Sequence, residues 1–312
     1  MRARAGAGLD ELNYSLNAVG MTSIDETSAT HVQHFRSADG VELVGDVGGD
    51  PGAPAVIFMH GGGQTRHSWS GATRAMIARG YRVINYDARG HGESGWSPEG
   101  AYTLDDRVTD LRAVIDGLTT PFALVGASMG GATAIHAVAL GIRPQAVVLV
   151  DIVPHAEPEG VNRIVSFMSG GISGFATLDE AVDAVAAYNP DRPRPSDPSG
   201  LMRNLRLRDD GRLYWHWDPR IMSIGADVEK HHELMVASAR IMGQLAGLPV
   251  LLVRGLKSDV VSDAGVAAFR AMQPGLEVVD VVGAGHMVAG DRNDAFNSGV
   301  FDFLARHMPP KA

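Results

Sequence analysis

Short apolar runs alternate along this chain with longer amphipathic ones. Residues 55–59, 82–86, 122–125, 146–150, 250–253 and 277–282 are rich in β-branched and aliphatic side chains and are bounded by turn residues. Runs of that length and makeup predict short strands, most of them buried on both faces. Between them, residues 69–79, 104–118, 131–140, 263–272 and 291–307 carry apolar side chains at helical spacing. Strands and helices in alternation predict a parallel sheet covered by helices. Nearer the start, residues 31–36 and 41–47 flank Ala38-Asp39-Gly40, which predicts a hairpin.

The alternation breaks between residues 153 and 230, a stretch longer than a connection inside a compact domain. Residues 178–188 there have helical spacing. A proline-rich bend follows at 189–195, and an aromatic cluster at Tyr214-Trp215-His216-Trp217. The expected organisation is an N-terminal extension over 1–30, a core over 31–152 and 231–312, and a lid inserted over 153–230. Within the lid, Phe167, Met168, Phe175, Trp215 and Trp217 are candidates to line a pocket, with Trp69 from the core beside them; packing inside the lid is the competing role.

Bulk properties narrow the picture only modestly. With 312 residues, 45% hydrophobic and 20% charged, the chain has the makeup of an ordinary globular protein with room for a large core. Its net charge of -9 gives no reason to expect nucleic acid or an anionic membrane as a partner. It has no cysteine, which excludes disulfides, thiol catalysis and cysteine-ligated zinc. No apolar run reaches membrane-span length, and residues 5–17 lack a continuous signal-peptide core, so a cytoplasmic location is expected.

The chemistry is concentrated just beyond the strands. Gly126-Ala127-Ser128-Met129-Gly130 sits between an apolar strand and a small-residue helix. A sharp strand-to-helix turn lifts a serine hydroxyl clear of the backbone and aims the first N–H groups of the helix at a developing charge. Such a serine needs a base. His286 follows the last strand within Gly283-Ala284-Gly285-His286-Met287. An acid must orient that histidine. Asp259 follows the strand at 250–253 and is the preferred candidate; Asp151, directly after 146–150, is the competitor. Upstream, His60-Gly61-Gly62-Gly63 follows the strand at 55–59 and allows close backbone approach to a ligand. The N–H groups of Gly62 and Met129 are candidates for an oxyanion hole. A phosphate loop is disfavoured because no Lys-Ser/Thr follows the glycines.

These segments, with Asp87-Ala88-Arg89-Gly90-His91-Gly92-Glu93-Ser94, occur in the order of an α/β-hydrolase-fold serine hydrolase, which the chain resembles from about residue 31 to its end. The resemblance implies a mostly parallel, doubly wound eight-stranded sheet with an inserted helical lid after the sixth strand. It implies Ser128 as nucleophile, His286 as base, Asp259 as acid, and Gly62 and Met129 as oxyanion donors. Serine at the nucleophile position argues against the epoxide hydrolases and haloalkane dehalogenases of this fold, which use aspartate. The expected function is a carboxylesterase working through an acyl-enzyme on small-molecule esters, with polyesters within scope, and needing no cofactor and no metal. Cofactor-free perhydrolysis, carbon–carbon bond hydrolysis and slow-turnover ligand sensing are the alternatives, because the fold hosts many functions.

Other residues receive structural expectations. His60, Asp87 and His91 support loops beside the site. His231-His232 point apart on a helix and do not suggest a metal site. The arginines at 203, 206 and 208 form a solvated lid face, in preference to an anion-binding one.

Overall fold

The computed structural model describes residues 30–190, 194, 197–226, 228–286 and 293–310. The expected extension over 1–30 falls outside these residues except for Thr30. The core is an eight-stranded sheet. Its strands are β1 (Thr30–Arg36), β2 (Glu42–Gly48), β3 (Ala55–Met59), β4 (Arg82–Tyr86), β5 (Phe122–Ala127), β6 (Ala146–Val150), β9 (Val250–Gly255) and β10 (Leu276–Val281). They lie in the order β1-β2-β4-β3-β5-β6-β9-β10. β2 pairs antiparallel with β1 and with β4, and every other pairing is parallel. β1 and β2 form the expected hairpin.

The core helices are α1 (Ser70–Ile77), α2 (Leu104–Ile115), α3 (Met129–Ala139), α6 (Val228–Gly243), α7 (Asp263–Met272) and α8 (Asn293–His307). The central strands β3, β5 and β6 are apolar because helices cover both faces. One face packs Ile57, Leu124 and Leu149 with Leu111 of α2, Ile135 of α3 and Met235 of α6. The other packs Phe58, Val125 and Val148 with Met76 of α1 and Phe303 of α8. α2 starts at a reciprocal capping box: the Thr103 hydroxyl accepts from Asp106 N–H, and the Asp106 carboxylate accepts from Thr103 N–H at 2.7 Å. Among the described residues no helix is long and apolar enough to cross a membrane.

Between β6 and α6 the chain builds a separate layer: α4 (Pro158–Gly170), α5 (Leu178–Tyr188), and the short antiparallel pair β7 (Leu205–Leu207) and β8 (Leu213–Trp215). This insertion has its own apolar cluster around Met168, Phe175, Leu205, Leu213, Trp215 and Trp217. α5 coincides with the expected helix. α4 was not expected, although Pro158 at its first position is a start signal.

Candidate active site

The sheet order reverses around β3: the chain steps from β3 outward to β4, then returns to β5 on the other side. Loops after β3 and β5 therefore diverge at the carboxyl edge and leave a crevice, where ligands bind in open α/β sheets. The Gly61–Gly63 loop follows β3, and Ser128 follows β5.

Ser128 is the N-cap residue of α3, with φ 45° and ψ -111°. Only two described non-glycine residues have positive φ, and both stand in this site: Ser128 and Asp151. The turn is held from both sides. Ser128 N–H donates to the Val150 carbonyl at 2.9 Å, and the Ser128 carbonyl accepts from Ala132 N–H at 2.9 Å. It is also too tight for side chains at its flanking glycines. A Cβ on Gly126 would stand 2.4 Å from Gly130 backbone, and one on Gly130 would stand 2.3 Å from the Met59 carbonyl oxygen. These contacts explain the Gly-x-Ser-x-Gly spacing more directly than backbone freedom does.

His286 Nδ1 lies 2.7 Å from Asp151 Oδ2. Asp151, not Asp259, is therefore the carboxylate the structure sets against the histidine. Asp151 is fully buried and accepts two further hydrogen bonds, from Gly255 N–H at 3.1 Å and from the Ser258 hydroxyl at 2.5 Å. The Ser258 oxygen in turn accepts from the N–H groups of Val260 and Val261. Asp259 instead forms an ion pair with Arg163 of α4, Nη1 to Oδ2 at 3.1 Å. The physical reason is chain length beyond the strands. Val150 pairs with Val253 in register, so Asp151 is the first residue past β6, at the sheet edge, whereas Asp259 is carried farther out by the loop after β9.

The glycine loop presents its donors selectively. Gly61 N–H donates to the Gln64 side chain at 3.0 Å, and Gly63 N–H donates to His91 Nε2 at 3.2 Å. Gly62 N–H has no acceptor among the described residues. Met129 opens α3, where the first N–H groups have no intrahelical acceptor. Because His91 Nε2 receives an N–H, its proton sits on Nδ1, which donates to the Arg89 carbonyl at 3.2 Å. His60 is placed the same way: Nε2 accepts from Ala88 N–H at 2.9 Å, and Nδ1 donates to the Gly61 carbonyl at 2.8 Å. Burial lowers the pKa of His60 and, together with the neighbouring His60, pushes that of His91 well down. Asp87 braces the same region by accepting from the N–H groups of Arg66 and Glu93. All three residues support loops, as expected from their positions.

Ser128, Met129, Gly62 and His286 open onto one cavity of about 1320 Å³ between the strand ends and the insertion. Phe167, Met168, Trp215 and Trp217 line it from the insertion side. Phe167 stacks on Tyr188, with ring centroids 4.4 Å apart. Phe175 instead packs edge-on against Trp215, inside the insertion's own core. Trp69 is not a pocket residue. It is 1% exposed and stacks on Phe58 beneath the sheet edge, because the turn Arg66–Trp69 points it into the core. The expected solvated arginine face is partly engaged: Arg208 lies over the Tyr214 ring at 4.0 Å, and Arg206 contacts His216.

Residues 56–298 match the sequence model of the Alpha/beta hydrolase family. The esterase Rv0045c of Mycobacterium tuberculosis is 31% identical over 260 residues, covering 77% of this chain and 79% of that protein. Protein phosphatase methylesterase 1 of Mus musculus is 29% identical over 196 residues, covering 58% of this chain and 48% of its own; the chain thus spans about half the length of that relative. Among solved structures, E-2-(acetamidomethylene)succinate hydrolase superposes with a TM-score of 0.73 at 25% identity, covering 88% of this chain and 99% of the other.

Proposed function

We propose that this chain, which belongs to the alpha/beta hydrolase family, cleaves carboxylic esters through an acyl-enzyme formed on Ser128. Hydrolase chemistry follows from its relatives, an esterase and a methylesterase among them. The observation that carries the finer reading is the His286–Asp151 hydrogen bond of 2.7 Å, in a cavity whose wall also holds Ser128.

In this scheme His286 Nε2 takes the hydroxyl proton as Ser128 Oγ bonds to the ester carbonyl carbon. Asp151 holds the imidazole in the tautomer with hydrogen on Nδ1 and stabilises the imidazolium. The carbonyl electrons move onto oxygen, and the N–H groups of Gly62 and Met129 receive that oxyanion. The C–O bond to the alcohol then breaks, and the alcohol leaves with the proton from His286. Water repeats the sequence on the acyl-enzyme and releases the acid. The insertion serves as the lid: its aromatic side chains exclude water and set the size of the group that enters.

The test is hydrolysis of a p-nitrophenyl ester series, acetate to long chains, by wild type and Ser128→Ala. Wild type is expected to turn over with a chain-length optimum, and the variant to lose roughly 10⁴-fold or more in kcat, as when a triad nucleophile is removed. Turnover by Ser128→Ala near the wild-type rate would overturn the scheme.

A further inference from the structure

Arg107 stands apart from the other buried arginines of this protein. Arg66 is surrounded by Asp46, Asp87 and Glu93. Arg89 is held by Asp110 through two bonds of 2.6 and 2.7 Å and by Asp39 at 2.8 Å. Arg107, on α2, is 9% exposed and forms no ion pair among the described residues. The carboxylates of the same helix make their hydrogen bonds elsewhere, Asp105 with His136, Asp106 in the cap of α2 and Asp110 with Arg89, although Asp110 and Asp106 still favour the charge of Arg107 through space. One guanidinium nitrogen, Nη1, donates to the Tyr102 carbonyl at 2.7 Å, and Nε is buried with no partner.

A buried charge with carboxylates near it but none in contact remains only partly compensated. Burial accordingly lowers the Arg107 pKa to about 10, which still leaves the group protonated at neutral pH. Arg107 is also part of the wall of the large cavity that holds Ser128. His231 and His232 of α6 line the same cavity, and the pKa of His231 is lowered by desolvation first and then by the charge of Arg107. On its other side Arg107 borders a small recess shared with Met129 and Gly130, the positive end of α3. Asp110 lines that recess too, so the uncompensated side of Arg107 is the one that faces the large cavity. Two carboxylates, Asp197 and Glu229, also line the cavity; both are exposed, as are His231 and His232.

We propose that Arg107 anchors a carboxylate on the substrate, so that the preferred ester carries a second, ionised carboxyl group. This rests on the ester-hydrolase reading of Ser128 and adds the substrate class. With Nη1 on Tyr102 and Nε enclosed, Nη2, which makes no hydrogen bond among the described residues, is the guanidinium donor left for a carboxylate.

The experiment compares matched probes: 4-nitrophenyl hydrogen glutarate against 4-nitrophenyl pentanoate, and 3-carboxyphenyl acetate against phenyl acetate. Wild type is expected to favour the carboxylate in at least one pair by roughly 10- to 100-fold in kcat/KM, the range of a hydrogen bond to a charged group. In Arg107→Gln that ratio should collapse towards one, mainly through KM, and Arg107→Lys should restore part of it. No carboxylate preference in either pair, or a preference that survives Arg107→Gln, would overturn the proposal. Should Arg107→Gln fail to fold, competition on wild type decides: glutarate must inhibit phenyl acetate hydrolysis at lower concentration than glutaramide, and equal inhibition refutes the anchor. Failure of the ester reading looks different. No ester would then be turned over in a Ser128-dependent way, yet glutarate would still raise the melting temperature of wild type above the rise given by glutaramide.

Discussion

Asp151 and Asp259 show what a single position past a strand can decide. Asp151 sits at φ 49°, a conformation that aspartate tolerates better than most residues, and its carboxylate is fixed by Gly255 N–H and Ser258 before it meets His286. Asp259 reaches outward to Arg163. Asp151→Asn should therefore lower kcat on a p-nitrophenyl ester by roughly 10³- to 10⁴-fold, because the amide no longer selects the productive tautomer. Asp259→Asn should stay within a few-fold. A reversed ranking in steady-state kinetics would return Asp259 to the acid role. The sequence made both acids eligible, since each follows a strand at the same sheet edge, and the competitor proved to be the one in contact. Nothing in the residue pattern reports the positive φ at Asp151 or the turn that sends Trp69 into the core. The turns that carry Ser128 and His286, by contrast, were legible because glycines and β-branched runs mark them.

At the scale of elements, the loops after β3 and β4 behave as one unit. His60 and His91, with ring centroids 5.1 Å apart, each accept a backbone N–H on Nε2 and donate from Nδ1, so both must be neutral to hold the glycine loop. Their pKa values are lowered in the folded chain. The unfolded chain therefore binds more protons as pH falls below an ordinary histidine value of about 6.5. The sign follows: the stability these groups contribute is complete above that pH and is lost as pH falls towards their folded values. Melting temperature should drop between pH 7 and pH 5, and the drop should be smaller in His91→Gln, whose side chain does not titrate. An identical pH slope in the two proteins would remove His91 from this role. Both histidines were expected to support loops. That His91 reaches across to the loop after β3 could not be read from sequence, because the bond to Gly63 spans 28 residues between loops with no periodic pattern.

For the molecule as a whole, the question is what seats the insertion over the sheet. On one flank the loop after β4 meets the end of β8 through backbone: Gly92 N–H donates to the His216 carbonyl at 2.7 Å, and Asp218 N–H to the Gly90 carbonyl at 2.8 Å. Buried Asp218 also accepts from Tyr102, and Arg220 donates to the Ser97 carbonyl. On the other flank α4 meets the loop after β9, where Glu157 N–H donates to the Val260 carbonyl at 2.9 Å and Arg163 pairs with Asp259. The ion pair is the visible latch, but Arg163 is 54% exposed at its side chain, and exposed pairs contribute about 0.2–1 kcal/mol. Close packing carries more. A Cβ on Gly160 would stand 2.1 Å from the Asp259 carbonyl oxygen, a clash with backbone that no side-chain rotation relieves. Overpacking of that kind costs about 1–3 kcal/mol or more. Gly160→Ala should therefore lower the melting temperature by several degrees and alter the chain-length optimum for esters, because α4 must retreat from the cavity it roofs. Arg163→Ala should change both only slightly. If thermal melts and ester profiles ranked the two the other way, electrostatics would hold that flank. The loop after β9 would then serve α4 through Asp259's charge, where the contacts point to its backbone.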